Sequence, residues 1–168
     1  MILYVVLGLI VFLGISVVFG APYVPSLKKD VRALFNDFLR IGSNDVLLDL
    51  GSGDGVILRQ AIKSGAKKAI GYEIHPLFWL VSVMLCAGYK NAQPKLRNGW
   101  TSHFPDDTTI VYMFMVSRDA KRVAKKVQAE ANLLGRDLVF VSYGAKLPGI
   151  DPEASFEAYY KYIFKPLH

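Results

Sequence analysis

The sequence predicts an α/β fold in which helices flank a mostly parallel β-sheet. Apolar strand patterns alternate with helical ones from residue 45 to residue 143. This alternation is typical of βαβ units joined by right-handed crossovers. A glycine-rich turn, GSGDG over residues 51–55, follows the first strand and opens the next helix. In open sheets of this kind, ligands bind outside the carboxyl ends of the strands, so we expect a site there.

Composition limits the classes to which the chain can belong. Its 168 residues fit one domain of ordinary size and exclude a multidomain enzyme. The single cysteine, Cys86, excludes an internal disulfide and a zinc site built on paired cysteines, and no metal site is predicted. Twenty Lys and Arg against fourteen Asp and Glu give a net charge of +6, which favours anionic partners without naming one.

The first twenty residues differ in composition from the rest. An unbroken stretch of eighteen apolar or small residues runs from Ile2 to Phe19. A helix of that length spans about 27 Å, most of a hydrocarbon core about 30 Å thick. The pattern predicts a transmembrane anchor over residues 1–20 and a globular domain over residues 21–168. The small residues before Ala21 also fit a cleaved signal peptide, but the basic region typical of such peptides is missing.

Basic residues beside this stretch predict the location of the domain. Lys28, Lys29 and Arg32 follow it closely, and positively charged residues stay on the cytoplasmic side of a membrane helix. We therefore expect a single-pass, membrane-anchored protein whose domain lies in the cytoplasm, or on the matrix side in an organelle.

Within the domain, periodicity and boundary residues predict the elements in order. Pro22 and Pro25 enforce an extended linker, Ser26 can cap a first helix, and Gly42 ends it. Apolar runs predict strands over residues 45–50, 67–73, 94–97, 109–115 and 137–143. Helical spacing predicts helices after the glycine turn, over residues 76–87 and over residues 118–134. The aromatic tail, residues 156–164, predicts an antiparallel edge strand.

The turn after the first strand has the composition of a cofactor site. Its glycines allow positive φ angles and let a ligand approach the backbone at a helix N-terminus. Glu73 ends the second strand about twenty residues further on, where a carboxylate can accept hydrogen bonds from both hydroxyls of a ribose. The pattern therefore predicts a bound nucleoside.

The charge of the turn indicates which cofactor contains that nucleoside. The dinucleotide fingerprint needs a third glycine where this chain has Val56, which disfavours NAD and FAD. Asp49 and Asp54 would repel a pyrophosphate, whereas they attract an ammonium or a sulfonium. An adenosine that carries a charged amino acid satisfies both observations.

These motifs resemble those of the class I S-adenosylmethionine-dependent methyltransferases. A narrower resemblance is to the small membrane-anchored protein lysine methyltransferases, which include the enzymes that modify the ATP synthase c subunit and the adenine nucleotide translocase. Four segments carry it: residues 22–26 (PYVPS), 49–55 (DLGSGDG), 71–76 (GYEIHP) and 98–100 (NGW). The resemblance implies a Rossmann-like class I methyltransferase sheet, S-adenosylmethionine as the cofactor, and methyl transfer to a lysine ε-amine.

The resemblance also implies which residues bind the cofactor. Two positions depart from the family pattern: His75 stands where Asn is usual, and Asn98 replaces an Asp expected to contact the adenine amino group. Asn98 can still accept that hydrogen bond through its carbonyl oxygen. The predicted cofactor-binding residues are Asp49, Gly51, Ser52, Gly53, Asp54, Gly55, Glu73, Ile74, Asn98 and Trp100.

No catalytic base is predicted, because methyl transfer from a sulfonium to an amine needs alignment and a neutral nitrogen. Tyr23, Trp100 and Ser117 are the candidates for orienting the acceptor. Alternatives stay open at three positions: Trp100 also fits a core aromatic, Tyr23 a membrane-interface residue, and His75 either a base or a helix cap.

The predicted partners are the membrane lipid bilayer and a membrane protein with an accessible lysine. Nucleic acid is disfavoured, because residues 113–117 (MFMVS) lack the tetrad that nucleobase amino-methyltransferases carry at the end of strand four. A lipid headgroup or a small molecule is the alternative acceptor, and a cofactor-binding scaffold without turnover is the alternative function. The basic side chains between Arg118 and Lys126 form either a solvated helix face or a contact for anionic headgroups. The sequence leaves the oligomeric state open.

Overall fold

A computed structural model of the protein describes residues 28–167. Helix α1 (Lys28–Ala33) continues into a π-helical turn over Leu34–Leu39, and α4 (Ala120–Leu134) follows a 3₁₀ turn over Ser117–Asp119. Between them lie α2 (Val56–Lys63) and α3 (Pro76–Cys86). The strands are β1 (Val46–Leu50), β2 (Lys68–Glu73), β3 (Ala92–Leu96), β4 (Ile110–Phe114), β5 (Leu138–Tyr143), β6 (Ala154–Phe156) and β7 (Tyr159–Phe164).

The seven strands form one mixed sheet in the order β3-β2-β1-β4-β5-β7-β6. Strands β1 to β5 pair in parallel, whereas β7 runs antiparallel to both β5 and β6. This confirms the predicted Rossmann-like sheet. Since β2 lies on one side of β1 and β4 on the other, the strand order reverses at β1, and a crevice forms outside the carboxyl ends of β1 and β4.

Helices cover both faces of the sheet and bury β1 completely. Val46, Leu48 and Leu50 point into the core layer that contains α4, while Leu47 points into the layer that contains α1 and α2. Burying one such side chain contributes about 1.5 to 3 kcal/mol. The central strand is therefore a rigid base for the residues at its carboxyl end.

Most elements lie within one or two residues of their predicted bounds, and two differences affect the sheet. Strand β3 begins at Ala92, two residues before the predicted start. The tail forms a hairpin, β6 and β7, instead of one edge strand, and β7 lies between β5 and β6. The aromatic alternation of β7 reflects this interior position, because Tyr159, Tyr162 and Phe164 are buried. The short strand β6 forms that edge of the sheet.

The prediction of a transmembrane helix before the sheet is wrong for the part of the chain that the structure describes. None of the helices within residues 28–167 is both long enough and apolar enough to cross a membrane. The most apolar one, α3, has 11 residues and is about 16 Å long. The longest, α4, has 15 residues and carries several charged side chains. The proposed anchor, residues 1–20, lies outside the described residues, and the single-pass localisation that depended on it is withdrawn.

Candidate functional site

The predicted site residues meet at the carboxyl edge of the sheet. Asp49 is the next-to-last residue of β1 and the glycine turn follows that strand, Glu73 ends β2, and residues 97–100 follow β3. The N–H groups of Gly51 and Ser52 both donate to the carbonyl oxygen of Tyr72, at 2.8 and 3.1 Å, and so join the turn to β2. The strand order therefore brings together segments that are about fifty residues apart in sequence.

All three glycines of the turn have a left-handed backbone. The φ angles are +90° at Gly51, +52° at Gly53 and +76° at Gly55. Side chains with a Cβ atom rarely adopt this conformation, so the sequence GSGDG is needed for the path of the chain. The turn leads directly into the N-terminus of α2, where the positive end of the helix dipole suits a ligand carboxylate.

Glu73 connects the glycine turn after β1 with the segment that follows β2. Its side chain is buried, with Oε2 accepting a 2.9 Å hydrogen bond from the N–H of Gly53. Its Oε1 accepts a 2.8 Å bond from the N–H of His75. Each carboxylate oxygen has a second lone pair, so Glu73 can hold the turn and still accept ribose hydroxyls.

Ile74 and Glu73 together present one apolar and one anionic surface. Ile74 is 64% exposed, although it directly follows a buried residue at the end of a central strand. An apolar side chain beside a carboxylate suits a nucleoside, whose base stacks on the apolar group while the ribose binds the acid. The residues present therefore fit the adenosine part of S-adenosylmethionine.

Asp49 and Asp54 differ in environment, although both are acidic residues of the same loop. Burial raises the pKa of Asp49 well above its ordinary value, and the nearby carboxylates of Glu73 and Asp54 raise it further. Asp54 is engaged in the local structure: Oδ1 accepts from the N–H of Val56 at 3.1 Å, and Oδ2 forms an ion pair with Arg59 at 3.4 Å. We conclude that Asp54 shapes the start of α2, whereas Asp49 is a buried acid whose ionised form a cationic ligand would stabilise.

The turn packs tightly against neighbouring elements. A Cβ added at Gly55 would lie 2.3 Å from Ser82 Oγ and 3.0 Å from Cys86 Sγ, both on α3. A Cβ at Gly71 would lie 2.4 Å from Ser52 Oγ. The hydroxyl of Ser52 thus lies against β2, where it has no hydrogen-bond partner among the described residues. Contact of Ser52 with a ligand would therefore involve its backbone.

The loop after β3 contains the remaining predicted cofactor residues. Asn98 Oδ1 accepts a 2.9 Å hydrogen bond from the N–H of Trp100, so the amide oxygen expected to bind adenine also shapes its own turn. Trp100 packs against the core layer of α4, and the guanidinium of Arg122 lies 4.2 Å from its ring centroid. The interpretation of Trp100 as a core aromatic is thus compatible with a position beside Asn98.

The three predicted acceptor residues lie on different segments of the chain. Trp100 follows β3, whereas Ser117 is exposed in the 3₁₀ turn after β4. Tyr23 lies outside the described residues. His75 precedes α3, and its ring lies 5.2 Å from that of Phe78.

Two aromatic residues at this edge were missed by the sequence analysis. Phe114 ends β4 and Tyr143 ends β5, with ring centroids 5.8 Å apart. The ring of Tyr143 also contacts that of Tyr159 on β7, with the centroids 4.7 Å apart and the planes tilted by 40°. Their position as the last residues of parallel strands was the available signal. Within residues 28–167, no group of three His, Cys, Asp or Glu side chains is placed to hold a metal ion.

Comparisons with known proteins give short but specific similarities. The chain is 42% identical over 55 residues to a protein-lysine N-methyltransferase of Saccharolobus islandicus. These 55 residues are 32% of this chain and 34% of that protein. It is 39% identical over 62 residues to the adenine nucleotide translocase lysine N-methyltransferase of Mus musculus. These 62 residues are 37% of this chain and 25% of that protein. The matched region is thus about a third of the length of the first relative and a quarter of the length of the second. No family model matches the chain.

A solved structure extends the similarity to the whole sheet. An RNA methyltransferase from Salinibacter ruber, in complex with S-adenosyl-L-homocysteine, superimposes with a TM-score of 0.76 and 19% identity. The match covers 84% of this chain and 94% of that one. At this identity the superposition demonstrates the fold. Together with the sequence relatives, it confirms the predicted resemblance to S-adenosylmethionine-dependent methyltransferases.

Proposed function

We propose that this protein is an S-adenosylmethionine-dependent protein-lysine N-methyltransferase. The observation that carries the proposal is the buried carboxylate of Glu73, which holds the glycine turn through Gly53 at the point where the strand order reverses. This is the arrangement that binds a nucleoside at the carboxyl edge of a parallel sheet. The lysine acceptor is inferred from the two sequence relatives, both of which are named as lysine methyltransferases.

The residues of the turn divide the binding task between them. The positive end of the α2 dipole receives the carboxylate of the amino acid portion, and Asp49, ionised when the cationic ligand binds, pairs with its ammonium and with the sulfonium. Glu73 accepts the ribose hydroxyls, and Ile74 and Asn98 contact the adenine. When bound, S-adenosylmethionine supplies a methyl group that is already activated by the positive sulfur.

The acceptor side needs orientation more than acid–base chemistry. The neutral lysine nitrogen forms a bond to the methyl carbon as the carbon–sulfur bond breaks; its electron pair stays on sulfur, and the nitrogen then releases a proton to water. Phe114 and Tyr143, which end β4 and β5, offer an apolar surface that sheds water from the amine. Ser117 follows β4 and can accept a hydrogen bond from the amine.

Labelling with methyl-tritiated S-adenosylmethionine tests the proposal. The full chain is incubated separately with soluble proteins, with membrane proteins, with RNA and with extracted lipids, because the sequence predicts a membrane protein as the acceptor. Glu73→Gln serves as the matched control that lacks the anionic ribose acceptor. We expect label in protein, and mass spectrometry should place it on lysine. Label in lipid or RNA would overturn the choice of acceptor, and a chain that binds the cofactor but labels none of these would be a scaffold.

A further inference from the structure

Helix α3 has its polar residues inside and its apolar residues outside. Over Pro76–Cys86 it carries no charged side chain. Ser82 and Cys86 face inward against the glycine turn. Six of the twelve large apolar side chains that are exposed in the described residues lie on this one helix. We define the α3 face as Leu77, Leu80, Val81 and Met84, all of which are exposed.

The spacing of the α3 face makes it one continuous surface. Its members stand at positions i, i+3, i+4 and i+7, which lie on the same side of a helix. Leu80 is 48% exposed and Met84 is 70% exposed. Soluble monomers rarely leave such a contiguous apolar patch in water without a binding partner.

Three lysines surround the end of the helix. The ammonium of Lys63 lies 5.5 Å from the ring centroid of Tyr89, and the side-chain amide of Asn91 donates to the carbonyl oxygen of Lys67 at 2.9 Å. Lys90 lies between these two contact points and is exposed. From residue 74 to residue 105 the sequence contains no Asp or Glu. Positive charge therefore lies beyond the C-terminal end of α3, and the segment that contains the α3 face has no carboxylate of its own.

This charge distribution decides between possible partners. Two copies of the chain packed through the α3 face would bring their lysines together, which is unfavourable. Pairing through the adjacent edge strand β3 is blocked by Pro94 in its middle, since proline has no N–H to donate. An anionic lipid surface satisfies both features, because acyl chains accept the apolar side chains and headgroups attract the lysines.

We propose that the α3 face, with Lys63, Lys67 and Lys90, docks on the surface of an anionic lipid bilayer. The helix lies in the plane of the interface and does not cross it, in agreement with its length of 11 residues. Trp79 is partly buried on the same helix, and aromatic residues of this kind concentrate at the interface. The inference is independent of the methyl acceptor.

Sedimentation with lipid vesicles tests the docking surface. The full chain is mixed with vesicles of phosphatidylcholine alone, or of phosphatidylcholine and phosphatidylglycerol in equal parts. The test variant is Leu80→Glu/Met84→Glu. The matched control is Leu133→Glu/Leu167→Glu, which places the same charges at exposed leucines elsewhere. We expect the test variant to bind mixed vesicles roughly tenfold to hundredfold more weakly than the control.

The charge requirement has its own pair of variants. Lys63→Gln/Lys90→Gln should weaken binding to the mixed vesicles by about tenfold. Lys121→Gln/Lys125→Gln removes the same charge from α4, which covers the opposite layer of the core, and should have little effect. Circular dichroism of each variant shows whether it has folded.

A fluorescence measurement locates the contact without changing the α3 face. The chain has two tryptophans, so Trp100→Phe leaves Trp79 and Trp79→Phe leaves Trp100. Vesicles with brominated acyl chains should quench Trp79 but not Trp100. Three results would overturn the proposal: no binding of the wild type to mixed vesicles, equal binding of the two double-glutamate variants, or quenching of Trp100 only. A dimer that Leu80→Glu/Met84→Glu dissociates, without vesicle binding, would assign the face to a second copy instead.

Discussion

The N–H of Gly53 donates a 2.9 Å hydrogen bond to Oε2 of Glu73, twenty residues further along the chain. The acid at the end of β2 therefore has a structural role as well as the binding role predicted for it. It keeps the glycine turn in position, and the turn in turn defines the N-terminus of α2. Substitutions at Glu73 should consequently alter two properties that can be measured separately.

Glu73→Ala should weaken the binding of S-adenosylhomocysteine by about 1.5 to 3 kcal/mol, because charge-assisted hydrogen bonds are lost. It should also lower stability, because the N–H groups of Gly53 and His75 lose their acceptor. Glu73→Gln keeps one acceptor oxygen, so its affinity and its stability should both lie between those of the wild type and those of Glu73→Ala. Titration calorimetry and urea unfolding measure them. Wild-type affinity in Glu73→Ala would contradict the placement of the ribose.

Asp49→Asn should make the protein more stable at pH 7 and weaken its binding of S-adenosylmethionine. The folded state raises the pKa of Asp49, so ionisation at neutral pH opposes folding, and stability falls as the pH rises through the unfolded pKa toward the folded one. An amide of the same shape removes that penalty and also removes the attraction for a cationic ligand. Urea unfolding at pH 4 and pH 7, with calorimetry, checks both effects. A gain in stability that is no larger at pH 7 than at pH 4 would be evidence against this explanation.

Gly55→Ala should destabilise the protein by about 2 to 4 kcal/mol through backbone strain and overlap with α3. Gly149→Ala is the matched control, since its φ is +73° but no atom lies within 4 Å of an added Cβ, so it measures the strain alone. Adding Ser82→Ala to Gly55→Ala removes the hydroxyl that lies 2.3 Å from the new Cβ and should recover part of the loss. Equal losses in Gly55→Ala and Gly149→Ala would show that the turn tolerates the contact. Thermal or urea unfolding supplies the comparison.

Glu130→Gln should destabilise the protein near neutral pH and have a smaller effect in acid. Burial alone would raise the pKa of Glu130. Hydrogen bonds from Lys126 at 2.7 Å and from the N–H of Phe104 at 2.9 Å lower it by a larger amount, so the folded pKa lies below the ordinary value of 4.5. The ionised group thus stabilises the fold above about pH 4.5, and this contribution is lost as the pH falls through the folded pKa. We expect a difference of about 1 to 3 kcal/mol at pH 7 that shrinks below pH 4. A difference that is constant with pH would contradict the role of its charge.

The methylation rate should rise with pH toward about pH 9, because a lysine ε-amine with a pKa near 10.4 is almost entirely protonated at neutral pH. Only the neutral amine has the lone pair that attacks the methyl carbon. His75→Ala should leave the shape of this profile unchanged, since orientation carries the reaction. A rate that levels off near pH 6.5 in the wild type, and loses that inflection in His75→Ala, would instead identify a histidine base.

The sequence alone predicted the order of strands and helices from residue 45 to residue 143, the glycine turn and the acid at the end of β2. These features depend on local chemistry: the apolar period of each element, and φ angles that favour glycine. The resemblance to known methyltransferases was predicted from the same short segments.

Only the tertiary structure decided which groups meet. Three features depend on which of several possible partners a residue meets in the folded chain. They are the position of β7 inside the sheet, the hydrogen bond from Gly53 to Glu73, and the contacts of Asp54 within its own turn. Helix α3 shows the reason most clearly: it carries no charged side chain and has large apolar residues on most of its surface, so its sequence pattern does not indicate which side is buried. The close approach of Gly55 to Ser82 turns the polar side inward and leaves Leu80 and Met84 exposed.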